Sequence, residues 1–270
     1  MLSDRNSVND SEIAEWDPGL TKRAMRVARP IVKRYYRSEV HGLELLPPGG
    51  VLVVSNHSGG FLPMDEVVFA VDYYGEFGYA RPIYTLTHDI MLVGPTADSL
   101  RRMGYVHATR ANAAEALRAG AVVIDFPGGD YDAYRPTWSR NTIDFGGRIG
   151  YARTAIDAKV PIVPMVSIGA QENQLFLSRG TRLARALRLD QLLHSKVLPV
   201  TFGFPFGLSI VVPVNMPLPT KIVIQVLAPI DIAAQFGSHP DAAEVDAYVR
   251  QVMQTGLDAL AAQRRFPIVG

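Results

Sequence analysis

His57 and Asp65 are the first residues along the chain whose types and placement can do chemistry. A run of Val51-Leu52-Val53-Val54 leads into Asn56-His57-Ser58-Gly59-Gly60, and Asp65 stands just ahead of a helical pattern from Glu66 to Tyr74. Strand ends followed by glycine turns are where α/β folds expose reactive groups. A neutral imidazole can act as a general base, and a nearby carboxylate can hold its other nitrogen in the right tautomer. A loop histidine with no duty beyond one hydrogen bond fits the same two residues, so the other polar stretches have to decide between the readings.

Three of them follow in order. Met103-Gly104-Tyr105-Val106-His107-Ala108-Thr109-Arg110 is a glycine turn that ends in an arginine before a helix, a placement that suits a phosphate and equally a surface arginine paired with a carboxylate. Val122-Val123-Ile124-Asp125 runs into Phe126-Pro127-Gly128-Gly129, a turn where backbone can approach a ligand closely, with Asp130, Asp132 and Arg135 crowding the exit. Arg148-Ile149-Gly150-Tyr151 opens a helix that leads to Val160-Pro161-Ile162-Val163-Pro164 and on to Ser167-Ile168-Gly169, and Pro164 inside a strand marks an edge or a bulge facing a cleft.

The elements that must position these residues alternate. Strands are expected at 51–55, 82–86, 121–126, 162–167 and 222–227, and helices at 20–37, 66–74, 96–103, 111–119, 149–158, 181–193 and 241–264. The pattern is that of one α/β domain with a mainly parallel mixed sheet flanked by helices, spanning 20–270 behind an acidic, flexible N-terminus at 1–19. No linker, repeat or low-complexity segment divides it. The 270 residues are 48% hydrophobic and 20% charged, which is enough apolar mass for a large core.

The composition also excludes several chemistries. The chain has no cysteine, so disulfides, thiol nucleophiles and thiolate metal sites are out. It has no Gly-x-x-x-x-Gly-Lys phosphate loop, and no zinc-ligand spacing or other implied metal site. Its net charge of +1 and its amphipathic basic stretches argue against nucleic-acid binding. Residues 1–17 are acidic and lack an apolar signal core, which points to a cytoplasmic setting.

Charge is unevenly distributed. Between Lys22 and Arg37 lie seven bases and no acid. On a helical wheel Lys22, Arg26, Arg29, Lys33 and Arg37 share one face and Ala24, Val27, Ala28, Ile31 and Tyr35 the other, with Pro30 expected to kink the helix. Such a helix suits an anionic membrane surface, or the edge of a domain with its basic face in water. The helix at 181–193 repeats the theme with Arg182, Arg185 and Arg188 between leucines. From Val197 to Thr220 no residue is charged, but five prolines and two glycines rule out a lipid-exposed helix. Loops and short strands forming an apolar wall are expected there.

Taken together, His57 to Asp65, Gly104-x-Val106-x-x-x-Arg110, Phe126-Pro127-Gly128-Gly129 and Val160-Pro161-Ile162-Val163-Pro164 resemble, in kind and order, the motifs of the glycerolipid acyltransferases. The resemblance runs from about 40 to 232 and includes Ala228-Pro229-Ile230. Two departures stand out. Seven residues separate His57 from Asp65 where the family pattern has four, and Phe-Pro-Gly-Gly replaces the usual Glu-Gly. The second departure, with the segment from Arg148 to Glu172, is similar to the branch that acts on mono- and diacylglycerols.

The resemblance implies acyl transfer from acyl-CoA, a co-substrate, to the hydroxyl of a glycerolipid acceptor, with no cofactor. It makes His57 the base and Asp65 its partner. It gives Arg110, and less directly Arg135, to phosphate binding, and Gly59, Gly60, Gly128 and Gly129 to backbone stabilisation of the oxyanion. It implies peripheral attachment to the inner face of the cell membrane through the basic amphipathic helices. A lipid or thioester hydrolase using the same pair on water, disfavoured by the lack of a Gly-x-Ser-x-Gly elbow, and a non-catalytic membrane-binding scaffold are the rival readings.

Overall fold

The computed structural model describes residues 11–60, 64–189, 196–210, 213–264 and 266. Seven strands form the main sheet: β1 (Glu39–His41), β2 (Val51–Ser55), β3 (Ile83–Thr87), β4 (Tyr105–His107), β5 (Val122–Asp125), β6 (Ile162–Ile168) and β10 (Val223–Val226). Their spatial order is β1-β10-β6-β2-β5-β3-β4. Pairing from β6 across to β4 is parallel, β10 runs antiparallel to β6, and β1 is parallel to β10. β2 therefore lies in the middle, and its carboxyl end opens between those of β5 and β6.

Alternation along the strands divides the core in two. Leu52, Val54, Val123, Ile162 and Val166 pack under α4 (Arg110–Arg118), α6 (Gly150–Ala158) and α9 (Ala242–Gln263). Val51, Val53, Val122, Ile124, Val163 and Met165 pack under α1 (Pro18–Pro30) and α2 (Met64–Phe77). All five residues of β2 are buried, as a strand covered on both faces requires. The expected strands and helices of the main sheet are present to within a few residues. β1 and β4, three residues each, are too short to leave a periodic signal.

Three expectations need correction. The α1 helix does not bury Val27, Ile31 and Tyr35; these are exposed, and Thr21, Val32 and Tyr36 are buried, with Met25 and Ala28 against the α2 side of the core. Lys33 is not on a free basic face, because its ammonium bonds Asp72 of α2 at 2.6 Å. The α-helical ladder of α1 stops at Pro30. The chain continues through a wider turn at Ile31–Tyr35, closed by the Tyr36 amide on the Ile31 carbonyl five residues back at 3.2 Å. Pro164 is on neither an edge nor a bulge. It sits in β6 between β2 and β10, opposite Val54, and the Leu227 amide donates to its carbonyl. The reciprocal bond has no donor, and β10 ends one residue earlier, at Val226.

The acidic N-terminus is tied down from residue 11 onward. Glu12 accepts from the His107 amide and the Asn112 side chain and pairs with His107 Nδ1 at 2.7 Å, while Asp17 pairs with Arg102. Residues 1–10 lie outside the described residues. Of the helix expected at 181–193, the structure shows α7 (Thr181–Ala186), and residues 190–195 lie outside the described residues. The uncharged stretch contains β8 (Val200–Gly203) and β9 (Gly207–Ile210), which join β7 (Leu175–Ser178) in a second, antiparallel sheet. Among the described residues no helix is long and apolar enough to cross a membrane.

Ile124 is fully buried under α2, in the strand beside β2. Ile124→Ala is expected to cost about 2–5 kcal/mol of stability, read as a lower midpoint in urea unfolding.

Candidate active site

Asn56 and His57 continue the chain directly from β2. The Asn56 side chain imitates a strand: its Nδ2 donates to the Ser167 carbonyl at 2.9 Å and its Oδ1 accepts from the Ser167 amide at 2.8 Å. The two strand ends are thus locked together one residue beyond their backbone ladder. The main chain of His57 is held from the other side, where its amide donates to Asp132 Oδ2 at 2.7 Å. Asp132 belongs to α5 (Gly129–Ala133) and is braced by Arg135 at 2.7 Å. A Cβ at Gly128 would lie 2.4 Å from the Asp132 side chain, so glycine is required for that aspartate to reach inward.

Asp65 lies in the first turn of α2, where the helix dipole favours a carboxylate. It is fully buried, and three elements converge on it. The Ser58 amide donates at 2.8 Å, the Ser58 hydroxyl at 3.0 Å and the Ser167 hydroxyl at 2.6 Å. Its Oδ2 stands 3.9 Å from His57 Nδ1, beyond hydrogen-bond range, and that buried nitrogen has no hydrogen-bond partner among the described residues. Gly59 and Gly60, with φ of 91° and 64°, turn the chain after Ser58, and both are buried. Residues 61–63 lie outside the described residues.

The imidazole is 17% exposed and lies against the Phe126 ring, with centroids 4.5 Å apart. Burial pushes its pKa down to about 4, so the ring is neutral at pH 7. Burial pushes Asp65 up to about 7, against the opposing hydrogen bonds from Ser167 and Ser58.

A small cleft opens beside the ring. Its walls include His57, Ser58, Asp132, Arg140, Asn141 and Glu172. Glu172 is buried and binds Arg140 at 2.9 Å and Arg264 at 2.7 Å. Arg140, Asn141, Asn56 and Ser167 were not singled out as site residues, since nothing in their local sequence distinguishes them; only the fold brings them to one strand end.

The remaining candidates are placed differently. Arg135 is 4% exposed and engaged by Asp132 and the Asp144 carbonyl, so it braces the His57 loop and does not present its guanidinium to a phosphate. Arg110 is exposed at the start of α4, after the edge strand β4. That strand is three places from β2, or roughly 14 Å across the sheet at ~4.8 Å per strand. The Gly60 and Gly129 amides are already given to the Ala133 and Phe126 carbonyls. The Gly128 carbonyl accepts from Arg148.

A family model described as Acyltransferase matches residues 37–168, the segment that carries β1 to β6 and the residues His57, Asp65, Asp132 and Ser167. The curated DGAT1/2-independent enzyme synthesizing storage lipids of Mus musculus is 30% identical over 70% of this chain and 56% of its own length. An uncharacterized protein of Mycobacterium leprae is 31% identical over 93% of this chain and 67% of its own. Among solved structures, the 1-acyl-sn-glycerophosphate (LPA) acyltransferase PlsC of Thermotoga maritima matches with a TM-score of 0.55 at 17% identity, covering 89% of this chain and 81% of that one. The chain belongs to the glycerolipid acyltransferase superfamily. In this acyltransferase the family match ends at Ile168. Gly169, Gln171 and Glu172, which line the cleft, lie beyond it, as do α9 and the second sheet.

Four carboxyls near these strand ends have raised pKa values through burial: Asp65 and Glu66 to about 7, Asp125 and Asp132 to about 6. Each binds a proton more readily folded than unfolded, so its stabilising contribution is complete below about 4 and is lost as pH rises through 6–7. His57, lowered from 6.5 to about 4, has the opposite sign over much the same window. Four against one gives a net gain on mild acidification, so the melting temperature is expected to be higher at pH 5.5 than at pH 7.5, by differential scanning fluorimetry in matched ionic strength.

Proposed function

We propose that this acyltransferase moves a fatty acyl group from acyl-CoA to a glycerolipid hydroxyl, with His57 as general base and Asp65 as its electrostatic partner. The observation that carries the reading is a largely buried imidazole whose Nδ1 lies 3.9 Å from the Asp65 carboxylate, beside a cleft at the centre of the sheet. His57 Nε2 takes the hydroxyl proton as the alcohol oxygen attacks the thioester carbonyl. The tetrahedral oxyanion collapses, the carbon–sulfur bond breaks, and the CoA thiolate takes the proton back from the imidazolium.

Burial weakens the imidazole as a base, so the charge of Asp65 has to offset the cost of the imidazolium. Catalytic hydrogen bonds are often long in an empty site, and contraction of the 3.9 Å separation would complete this one. Gly59 and Gly128 are the glycine amides left for the oxyanion. Arg110 is the cation left from the phosphate candidates, at a distance that only an extended donor such as CoA would bridge from His57.

An uncharged acylglycerol acceptor is supported by the similarity to an enzyme named for storage-lipid synthesis and by the burial of Arg135, a candidate phosphate site. Attachment to the inner face of the cell membrane through the basic stripe of α1 belongs to the same proposal. There Arg23, Arg26 and Arg34 surround the exposed Val27 and Ile31.

The pure protein, incubated with palmitoyl-CoA and a panel of mono- and diacylglycerols and lysophospholipids, is expected to release CoA and form an acylated product by mass spectrometry. His57→Ala is expected to lower turnover by at least ~10²-fold with the fold intact by circular dichroism, and near-normal turnover would remove His57 as base. The rate should rise with pH through about 7 as Asp65 ionises. In Asp65→Asn that rise should vanish along with most of the activity, read from pH–rate profiles of both proteins.

A further inference from the structure

The second sheet, formed by β7, β8 and β9, has its polarity reversed. Cross-strand register sets Phe176, Thr201 and Ser209 in one row, and all three are buried. The polar members of that row bond among themselves: the Thr201 and Ser209 hydroxyls are 2.8 Å apart, and Asn215 Nδ2 is 3.2 Å from Ser209. The neighbouring row is Leu175, Phe202 and Leu208, and all three are exposed. Leu177 and Ile210 extend this outer face. The turn between β8 and β9 carries Phe204 and Phe206, exposed by 73% and 53%.

An antiparallel sheet with one wet face turns its apolar side inward. Here the alternation Phe202-x-Phe204-x-Phe206-x-Leu208-x-Ile210 faces out. Single exposed leucines need no explanation, whereas a contiguous apolar face marks an interaction surface.

Charge identifies the partner. From 173 to 230 the sequence holds one acid, Asp190, against Arg179, Arg182, Arg185, Arg188, Lys196 and Lys221. α7, the helix after β7, exposes Arg182 and Arg185 beside Leu183 and Leu187. The sheet also leans on the reactive loop, since Phe176 occupies the space a Cβ on Gly60 would need.

We propose that the outer face of β7–β9, with α7, is a docking surface for a bilayer bearing anionic headgroups. Phe204 and Phe206 enter the interfacial layer, and the α7 arginines meet lipid phosphates. A second copy of the chain is a poorer occupant. An isologous contact would set this face and the α7 arginines against themselves, with no acid among the described residues of 173–230 to pair with them. The inference deepens the acyl-transfer reading by placing the reactive loop next to the membrane, but it stands on the exposed face of the sheet and its flanking charge, independently of that reading.

The test is sedimentation with sucrose-loaded vesicles of phosphatidylcholine, with and without phosphatidylglycerol. The parent chain should pellet with the anionic vesicles. The pair Phe204→Ser and Phe206→Ser should bind roughly tenfold or more weakly with an unchanged melting temperature, since both side chains are exposed. The pair Arg182→Gln and Arg185→Gln should bind several-fold more weakly at low salt and lose that difference at high salt. The pair Val27→Ser and Ile31→Ser on α1 should lower binding less than the phenylalanine pair does. No binding by the parent, parent-like binding by the phenylalanine pair, or loss confined to the α1 pair would each overturn the proposal. So would a parent dimer that becomes monomeric in the phenylalanine pair by light scattering. Vesicle binding as expected with no acyl transfer to any acceptor would leave the docking surface standing and remove the enzymatic reading.

Discussion

The carboxylate of Asp65 is the point on which the site depends. It is buried at the start of a helix and accepts from a loop serine and from a serine at the end of β6. Three segments distant in sequence are thereby brought to one anion. A buried carboxylate without such donors would be costly, and with them it fixes how the α2 helix, the His57 loop and β6 meet. The imidazole is placed by bonds on either side of this anchor, from the Asn56 side chain to the Ser167 main chain and from the His57 amide to the Asp132 carboxylate. The histidine side chain itself makes few polar contacts. It is held by its main chain, by the Phe126 ring and by the field of Asp65.

Much of this was readable from the chain. The all-valine-and-leucine character of 51–54 and the β-branched run at 122–124 specify central strands, because only a strand covered on both faces tolerates that many consecutive apolar residues. The glycine pair after His57 signalled a turn, and the aspartate ahead of an apolar helix signalled a carboxylate at a helix start. The fold class and superfamily followed from their order. What could not be read depends on long-range pairing. Ser167 lies 102 positions from Asp65, and Asn56 reaches the same serine 111 positions away. Neither has a local signature, since serine and asparagine serve turns and caps throughout a chain. Arg135 reads as a site cation by composition, and only coordinates show it spent on Asp132.

Two elements turn an apolar face outward. Helical-wheel and strand-alternation arguments identify an apolar side but assume that this side faces the core. In α1 the stripe of Val27, Ile31 and Tyr35 is the outer one, and the inner one runs through Thr21, Met25, Ala28, Val32 and Tyr36. In β7–β9 the apolar rows are again outside. Periodicity establishes that two faces differ. Which face is buried is settled by what is available to cover it.

Pro164 has a consequence for how the two halves of the sheet stay in alignment. Sliding β10 along β6 by two residues, so that Gln225 came opposite Pro164, would bury a pairing position that lacks a donor. A slide by one residue would turn Ile224 and Val226 out of the apolar layer they now fill. An imino acid in mid-strand therefore works as a detent. It holds Val223 and Ile224 level with Ile168 and Ser167, at the strand end that lines the cleft beside His57.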